Sequence, residues 1–282
     1  MKVQVVLFVL LFVIWILSPK SKHHEIGNIG NILCGYFYHM GESWSRGETF
    51  VWDGWESEHY FYKQFPVKLD PPLETKIPKF EGVVPISAWT MNKPEAREFW
   101  DAMKPYVHRY IHKALQNTNQ VLSQRLPVVH YRCADVPFDR NVDYHFQKYD
   151  FFRNALAGHK EIDLITCSKW KATDEMKTAC NEYVNLLKNE IGNTRVNIIE
   201  CRDVLEDFAR MFYAPLVVST GSSMSFMAGY FGNGKFVTGG HFDENDQSKN
   251  CLICDYSPET NLLHSDVENY YDVDEVHDKL SF

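Results

Sequence analysis

Two runs, Pro127-Val-Val-His-Tyr-Arg-Cys-Ala-Asp135 and Leu216-Val-Val-Ser-Thr-Gly-Ser-Ser-Met-Ser-Phe226, each begin apolar and β-branched and end abruptly in polar residues. That pattern marks a strand buried on both faces which delivers functional groups at its carboxyl end. Strands buried on both faces belong to parallel sheets, and parallel neighbours need long right-handed crossovers. The rest of the carboxyl-terminal half supplies them. Further strands are predicted at 162–167, 195–200 and 235–238, with helices near 145–157, 173–191, 202–212 and 223–231. Asp203 precedes Val204-Leu-Glu-Asp-Phe208 as a helix N-cap, with Glu206 at the capping-box position.

The chain has 282 residues, enough for one large domain or two smaller ones, and 45% hydrophobic content makes it globular. A net charge of −8 without a basic tract argues against nucleic acid as a partner. Seven cysteines are too few for a disulfide scaffold, and the odd count leaves at least one thiol unpaired within the monomer. Cys251 and Cys254 form a lone C-x-x-C; zinc would need two further ligands, for which His241 and His264 are the nearby candidates.

Val3 to Leu17 is an apolar run flanked by lysines, with Gln4 as its one polar interruption. No small-residue cleavage site follows it, so residues 1–22 are expected to be an amino-terminal hydrophobic anchor or signal, associating the chain with a membrane. Residues 23–126 form a first region rich in aromatics. Its glycine-containing opening, Gly27 to Gly35, permits close backbone approach. The stretch from Tyr36 to Gly47, with His39, Glu42, Ser43 and Arg46 beside Trp44, reads as a polar and aromatic loop of the kind that recognises sugars. Pro66 to Pro85 reads as an extended connection, and Lys93 to Leu122 as one or two helices.

If the two opening runs are adjacent strands, their ends face one cleft. The first offers His130, Arg132 and Asp135; arginine suits a diphosphate because its planar fork donates parallel hydrogen bonds and stays charged. The second offers Ser219, Thr220, Gly221, Ser222 and Ser223 at a helix start, a setting that favours phosphate. No Asp-x-Asp follows a central strand, and Asp272-Val-Asp274 falls in the acidic tail, so no metal site is expected. No Gly-x-Gly-x-x-Gly follows an early strand either, which weighs against a dinucleotide oxidoreductase.

His130-Tyr-Arg-Cys-Ala-Asp135, followed some way later by Ser219-Thr-Gly-Ser-Ser-Met-Ser-Phe226, resembles the fucosyltransferase superfamily. The longer run through Asn141, with Tyr144 to Tyr149, looks similar to glycosyltransferases of large algal viruses. The resemblance implies an α/β chain of GT-B type, two Rossmann-like halves with a parallel sheet in the carboxyl-terminal half. Residues 23–126 would be the acceptor side and 127–282 the nucleotide-sugar side. It also implies an inverting, metal-independent fucosyl- or xylosyltransferase, using GDP-fucose or UDP-xylose, that acts on a glycan or glycoprotein. Arg132 would hold the donor diphosphate, with His130, Ser219, Thr220, Gly221, Ser222, Ser223 and Phe226 around the nucleotide. Asp135 would orient Arg132 or contact the donor. The resemblance leaves the base open among Glu42, His39, Asp53, Asp135 and His145. It departs from the family in its Arg-Cys-Ala-Asp interior, so base and sugar selectivity do not transfer. The alternative is the same cleft kept for carbohydrate or nucleotide binding without turnover.

Overall fold

The computed structural model describes residues 29–52, 59–73, 76–80, 94–120, 123–132, 149–166, 173–192, 194–200 and 202–238. The amino-terminal apolar run, Asp53, Asp135, His145, the C-x-x-C pair with His241 and His264, and the acidic tail lie outside those residues.

The chain enters through helix α1 (Ile29–Ser45), where a loop was expected from Tyr36 onwards. Ile29, Leu33, Phe37, Met40 and Trp44 recur at helical spacing and are buried, and Tyr36 and Tyr38 join them in the core. The aromatics read as sugar-stacking surface are therefore mostly packing. Interior glycines ordinarily weaken a helix by about 1 kcal/mol each, which is why the stretch does not read as one. Two of them are there for close approach. A Cβ on Gly41 would lie 2.4 Å from the Phe99 ring, and one on Gly30 would lie 2.2 Å from the backbone nitrogen of Met224.

Strands β1 (Phe50–Val51) and β2 (Lys68–Leu69) make a short antiparallel pair that closes over α1. Tyr36 Oη donates to the carbonyl of Pro66 at 2.7 Å, fixing that pair to the helix. Helix α2 (Pro94–Asn117) is a single helix that passes through Pro105. Pro94 opens it, where a missing N–H costs nothing. Asn119, at φ 57°, ends it, with the Gln120 N–H donating to the Leu115 carbonyl at 2.8 Å.

From β3 (Val128–Tyr131) the pattern becomes regular: α3 (Tyr149–Ala155), β4 (Glu161–Thr166), α4 (Asp174–Glu190), β5 (Arg195–Glu200), α5 (Val204–Tyr213), β6 (Leu216–Ser219), α6 (Ser223–Ser225) and β7 (Lys235–Thr238). Helix α6 runs directly into π-helical residues Phe226–Tyr230. The five long strands form one parallel sheet in the order β5-β4-β3-β6-β7. Asp203 caps α5, accepting from the N–H groups of Leu205 and Glu206; Glu206 turns away from a reciprocal bond and pairs with Arg202 and Arg210.

Alternation along β3 divides the core. Val128 packs with α1, α2, α5 and residues 226–231, whereas Val129 and Tyr131 pack with α3 and α4. Cys180, on α4, is disulfide-bonded, and Cys34 is a buried free thiol. The described residues before position 127 contain helices and one antiparallel strand pair but no parallel sheet of their own. They share an apolar cluster with the carboxyl-terminal half, where Trp100 meets Phe226 and Phe231 and Phe61 meets Phe208. No helix among the described residues is long and apolar enough to cross a membrane.

Candidate functional site

The strand order reverses between β3 and β6. From β3 the chain adds β4 and β5 on one side, then returns through α5 to add β6 and β7 on the other. The helices that follow β3 and β6 pack on opposite faces of the sheet, and the carboxyl edge between them is the crevice where open α/β sheets bind ligands. His130 is in register with Ser219, so the two polar stretches end side by side. Arg132 follows β3 directly, and Thr220 to Ser223 follow β6. Ser219 is in turn in register with Thr238 on β7, so His130, Ser219 and Thr238 form a row across one face of three strands.

His130 is 8% exposed, and its Nδ1 has no hydrogen-bond partner. Burial, and then the nearby Arg132 guanidinium, push its pKa down to about 4, so at neutral pH it is an uncharged imidazole. A buried, unsatisfied imidazole nitrogen at a strand end is poised to meet a ligand group.

The hydroxyl turn is built by its own side chains. Ser219 Oγ lies 2.5 Å from Ser225 Oγ and accepts from the Gly221 N–H, and Gly221 takes φ 97°, which a side chain rarely adopts. Ser222 Oγ accepts from the Met224 N–H, while Ser225 Oγ donates to the Ser222 carbonyl. Ser219, Thr220 and Ser222 are buried, whereas Ser223 is half-buried and donates to Asn31 Oδ1 at 2.5 Å. These hydroxyls thus shape the turn as internal scaffolding. Phe226 is wholly buried among Trp100, Tyr230, Phe231 and Phe236, so it supports the turn from the core.

Helix α1 reaches the turn by its first residues. With Gly30 against the Ser223–Met224 backbone, Gly30→Ala is expected to cost about 1–3 kcal/mol through overpacking. A urea titration reads that loss, and an unchanged midpoint would show that the helix start can move off the turn.

His39 and Glu42 lie elsewhere. They stand eight and eleven residues beyond Asn31 on the same helix, roughly 12 and 16 Å along its axis. There Glu42 pairs with His39 at 3.3 Å and with Arg46 at 3.1 Å on an exposed face. The structure does not bring them to the crevice.

One further residue of the region is not marked by any sequence motif. Asp207, in the first turns of α5, is 7% exposed, and its Oδ1 has no partner. Burial and the adjacent Glu206 carboxylate push its pKa up to about 7, against the opposing pull of Arg210 and Arg202. Helix α5 starts from the carboxyl edge beyond β5 and packs on β3 and on α6, so Asp207 lies on an element that borders the crevice. The available signal was a carboxylate set into the apolar stripe of Val204, Phe208 and Met211.

No protein-family model, no curated protein and no solved structure matches the chain significantly. The site therefore rests on its own chemistry: a guanidinium, a neutral imidazole and a hydroxyl-bearing turn at one sheet edge, with a buried carboxyl on the helix that packs beside them. Cation and turn suit an anionic ligand such as a diphosphate. The carboxyl suits a ligand that brings hydrogen-bond donors. Among the described residues, no group of three or more His, Cys, Asp or Glu side chains could hold a metal ion.

Proposed function

We propose that the protein is an inverting glycosyltransferase that moves fucose or xylose from a nucleotide sugar to a glycan of a glycoprotein. The observation that carries this reading is the pairing of β3 with β6 at the reversal of strand order, with Arg132 following one strand and the Ser219–Ser223 turn following the other. In this reading the acceptor oxygen attacks the anomeric carbon as the bond to the diphosphate breaks. The bonding pair leaves on the phosphate oxygen, where Arg132 receives the charge, and the acceptor proton passes to a base. Asp135, Asp53 and His145 are the carboxylates and imidazole proposed for that proton, since the crevice lies far from His39 and Glu42.

The GT-B arrangement belongs to the same proposal, with residues 127–282 as the nucleotide side and 23–126 as the acceptor side. So does anchoring through residues 1–22. The disulfide at Cys180 suits an oxidising compartment such as the secretory pathway.

Asp207 bears on the donor. The edge of guanine presents two adjacent donors, N1–H and the N2 amino group, which a carboxylate accepts together. Uracil presents one N–H between two carbonyls, whose oxygens a carboxylate repels. GDP-fucose is accordingly favoured over UDP-xylose. The test is to incubate the full-length chain in detergent with both donors and related nucleotide sugars and to measure release of the nucleoside diphosphate. Slow hydrolysis of GDP-fucose ahead of the rest is expected. A chain that neither binds nor hydrolyses any of them would overturn the assignment.

A further inference from the structure

Ten of the 17 residues of α1 are buried, and the others fall mainly on one side. Asn31, Gly35, His39 and Glu42 recur at spacings of four, four and three residues, which places them within about 80° of one another around the axis. Asn31 and His39 are exposed, Gly35 and Glu42 are half-buried, and the exposed Arg46 continues the line just past the end of the helix. The stripe starts at the crevice, because Ser223 Oγ of the hydroxyl turn donates to Asn31 Oδ1 at 2.5 Å. At its other end Glu42 meets His39 at 3.3 Å and Arg46 at 3.1 Å, and Arg46 Nε donates to Glu48 at 2.9 Å. The half-buried Trp52 ring stands 6.0 Å from that of His39. Gly35 lies between the two ends. Unlike Gly30 and Gly41, it has nothing within 4 Å of where a Cβ would stand. A glycine weakens a helix interior, and no close contact offsets that here; what it leaves is a notch midway along a polar stripe.

We propose that this face of α1 is a distal acceptor site, which holds a neutral oligosaccharide running from the crevice at Asn31, over Gly35, to His39, Glu42 and Arg46. The inference deepens the glycosyltransferase reading and rests on it for the role of the bound glycan as acceptor. The groups themselves select the ligand. An amide, an imidazole, a carboxylate and a guanidinium between them donate to and accept from hydroxyls, and Trp52 sets an aromatic ring beside them. Glu42 and Glu48 already pair with Arg46, so the stripe holds no cationic surplus for a sialylated or sulfated chain. Its five residues include no apolar side chain and no strand edge, the features by which extended peptides are held. The ion pairs fix His39, Glu42 and Arg46 before a ligand arrives, which lowers the cost of ordering them on binding. A span of about 16 Å from Asn31 to Glu42 exceeds a single sugar and suits a short oligosaccharide. The reacting hydroxyl then stays at the crevice while His39 and Glu42 hold sugars remote from the bond being made.

The experiment measures binding of chito-, manno- and galacto-oligosaccharides of increasing length, from the single sugar upwards, to the full-length chain in detergent by surface plasmon resonance. In one series Kd should fall on the order of tenfold between the single sugar and the longest chain, the gain expected of one added charge-assisted hydrogen bond. Gly35→Leu fills the notch with a strong helix former, and Glu42→Ala removes the centre of the distal cluster. Each should return the longest chain to about the affinity of the single sugar. Because the space at Gly35 is open, Gly35→Leu should keep the wild-type circular dichroism and the wild-type hydrolysis of GDP-fucose. Glu42→Ala alters a side chain 38% exposed and keeps the test in hand if leucine disturbs the helix. The proposal is overturned if no series gains affinity with length, or if the gain survives in either folded variant. A sialylated chain bound more tightly than its neutral parent would overturn it as well. Length-dependent binding lost in both variants, in a wild-type chain that neither binds nor hydrolyses any nucleotide sugar, would overturn the transferase reading and leave the glycan site standing.

Discussion

Arg132→Ala is expected to lower sugar transfer by roughly 10²–10³-fold, the size of loss seen when a donor aimed at developing charge is removed. The reason is placement. Arg132 leaves β3 at the reversal of strand order, beside the turn that follows β6, and charge grows on the leaving diphosphate as its bond to the sugar breaks. An interaction that strengthens as charge develops acts mainly on kcat, so kcat should fall further than the donor KM rises. Arg132→Lys should fall between, because a point charge keeps the attraction and loses the parallel bonds of the fork. The residue is half-buried at a strand end and outside the apolar clusters, so the fold should survive. Intact circular dichroism and denaturation midpoint, with transfer lost, is the expected pair of results. Transfer at the wild-type rate in a folded Arg132→Ala protein would sink the assignment.

The parallel sheet was legible because its strands obey a local rule. Val128-Val-His-Tyr131 and Leu216-Val-Val-Ser219 are buried along their whole length, and residues of that kind announce themselves without knowledge of their neighbours. The adjacency of the two ends was legible too, since the spacing of crossovers leaves few alternatives. The first region followed a different logic. Helix α1 was misread because Gly30 and Gly41 lower helix propensity, and the contacts that offset them, with Met224 and Phe99, come from distant sequence. Loop and helix differ there by tertiary packing, which one segment cannot display. The same limit hid Asp207: its helix was foreseen from the Asp203 cap, but only the packing of α5 on β3 and α6 buries the carboxyl. His39 and Glu42 are candidate bases on the expectation that the acceptor enters between the two regions; on α1 they form an exposed charge cluster with Arg46.

Asp207→Asn should separate binding from stability in opposite directions. A carboxyl whose pKa is raised on folding favours the protonated native state, so its contribution to stability is fully present below the unfolded value near 4 and is lost as pH rises through about 7. The shift from 3.8 to about 7 corresponds to roughly 4 kcal/mol, an upper figure for a group this buried. Asparagine has nearly the same shape and no titration. The variant should therefore match the wild type near pH 4 and become progressively more stable than it up to pH 8, a divergence that urea denaturation at four or five pH values would trace. GDP binding should fail in the same protein, because the amide offers one acceptor and sets its own N–H groups against those of guanine. A gain in stability with loss of binding is what a buried carboxyl kept for a ligand predicts, since such a charge is retained at a cost to the fold. If the two proteins differed by a constant amount across pH, Asp207 would not be the titrating group. If the variant bound GDP as the wild type does, the carboxyl would be buried for some purpose other than the base.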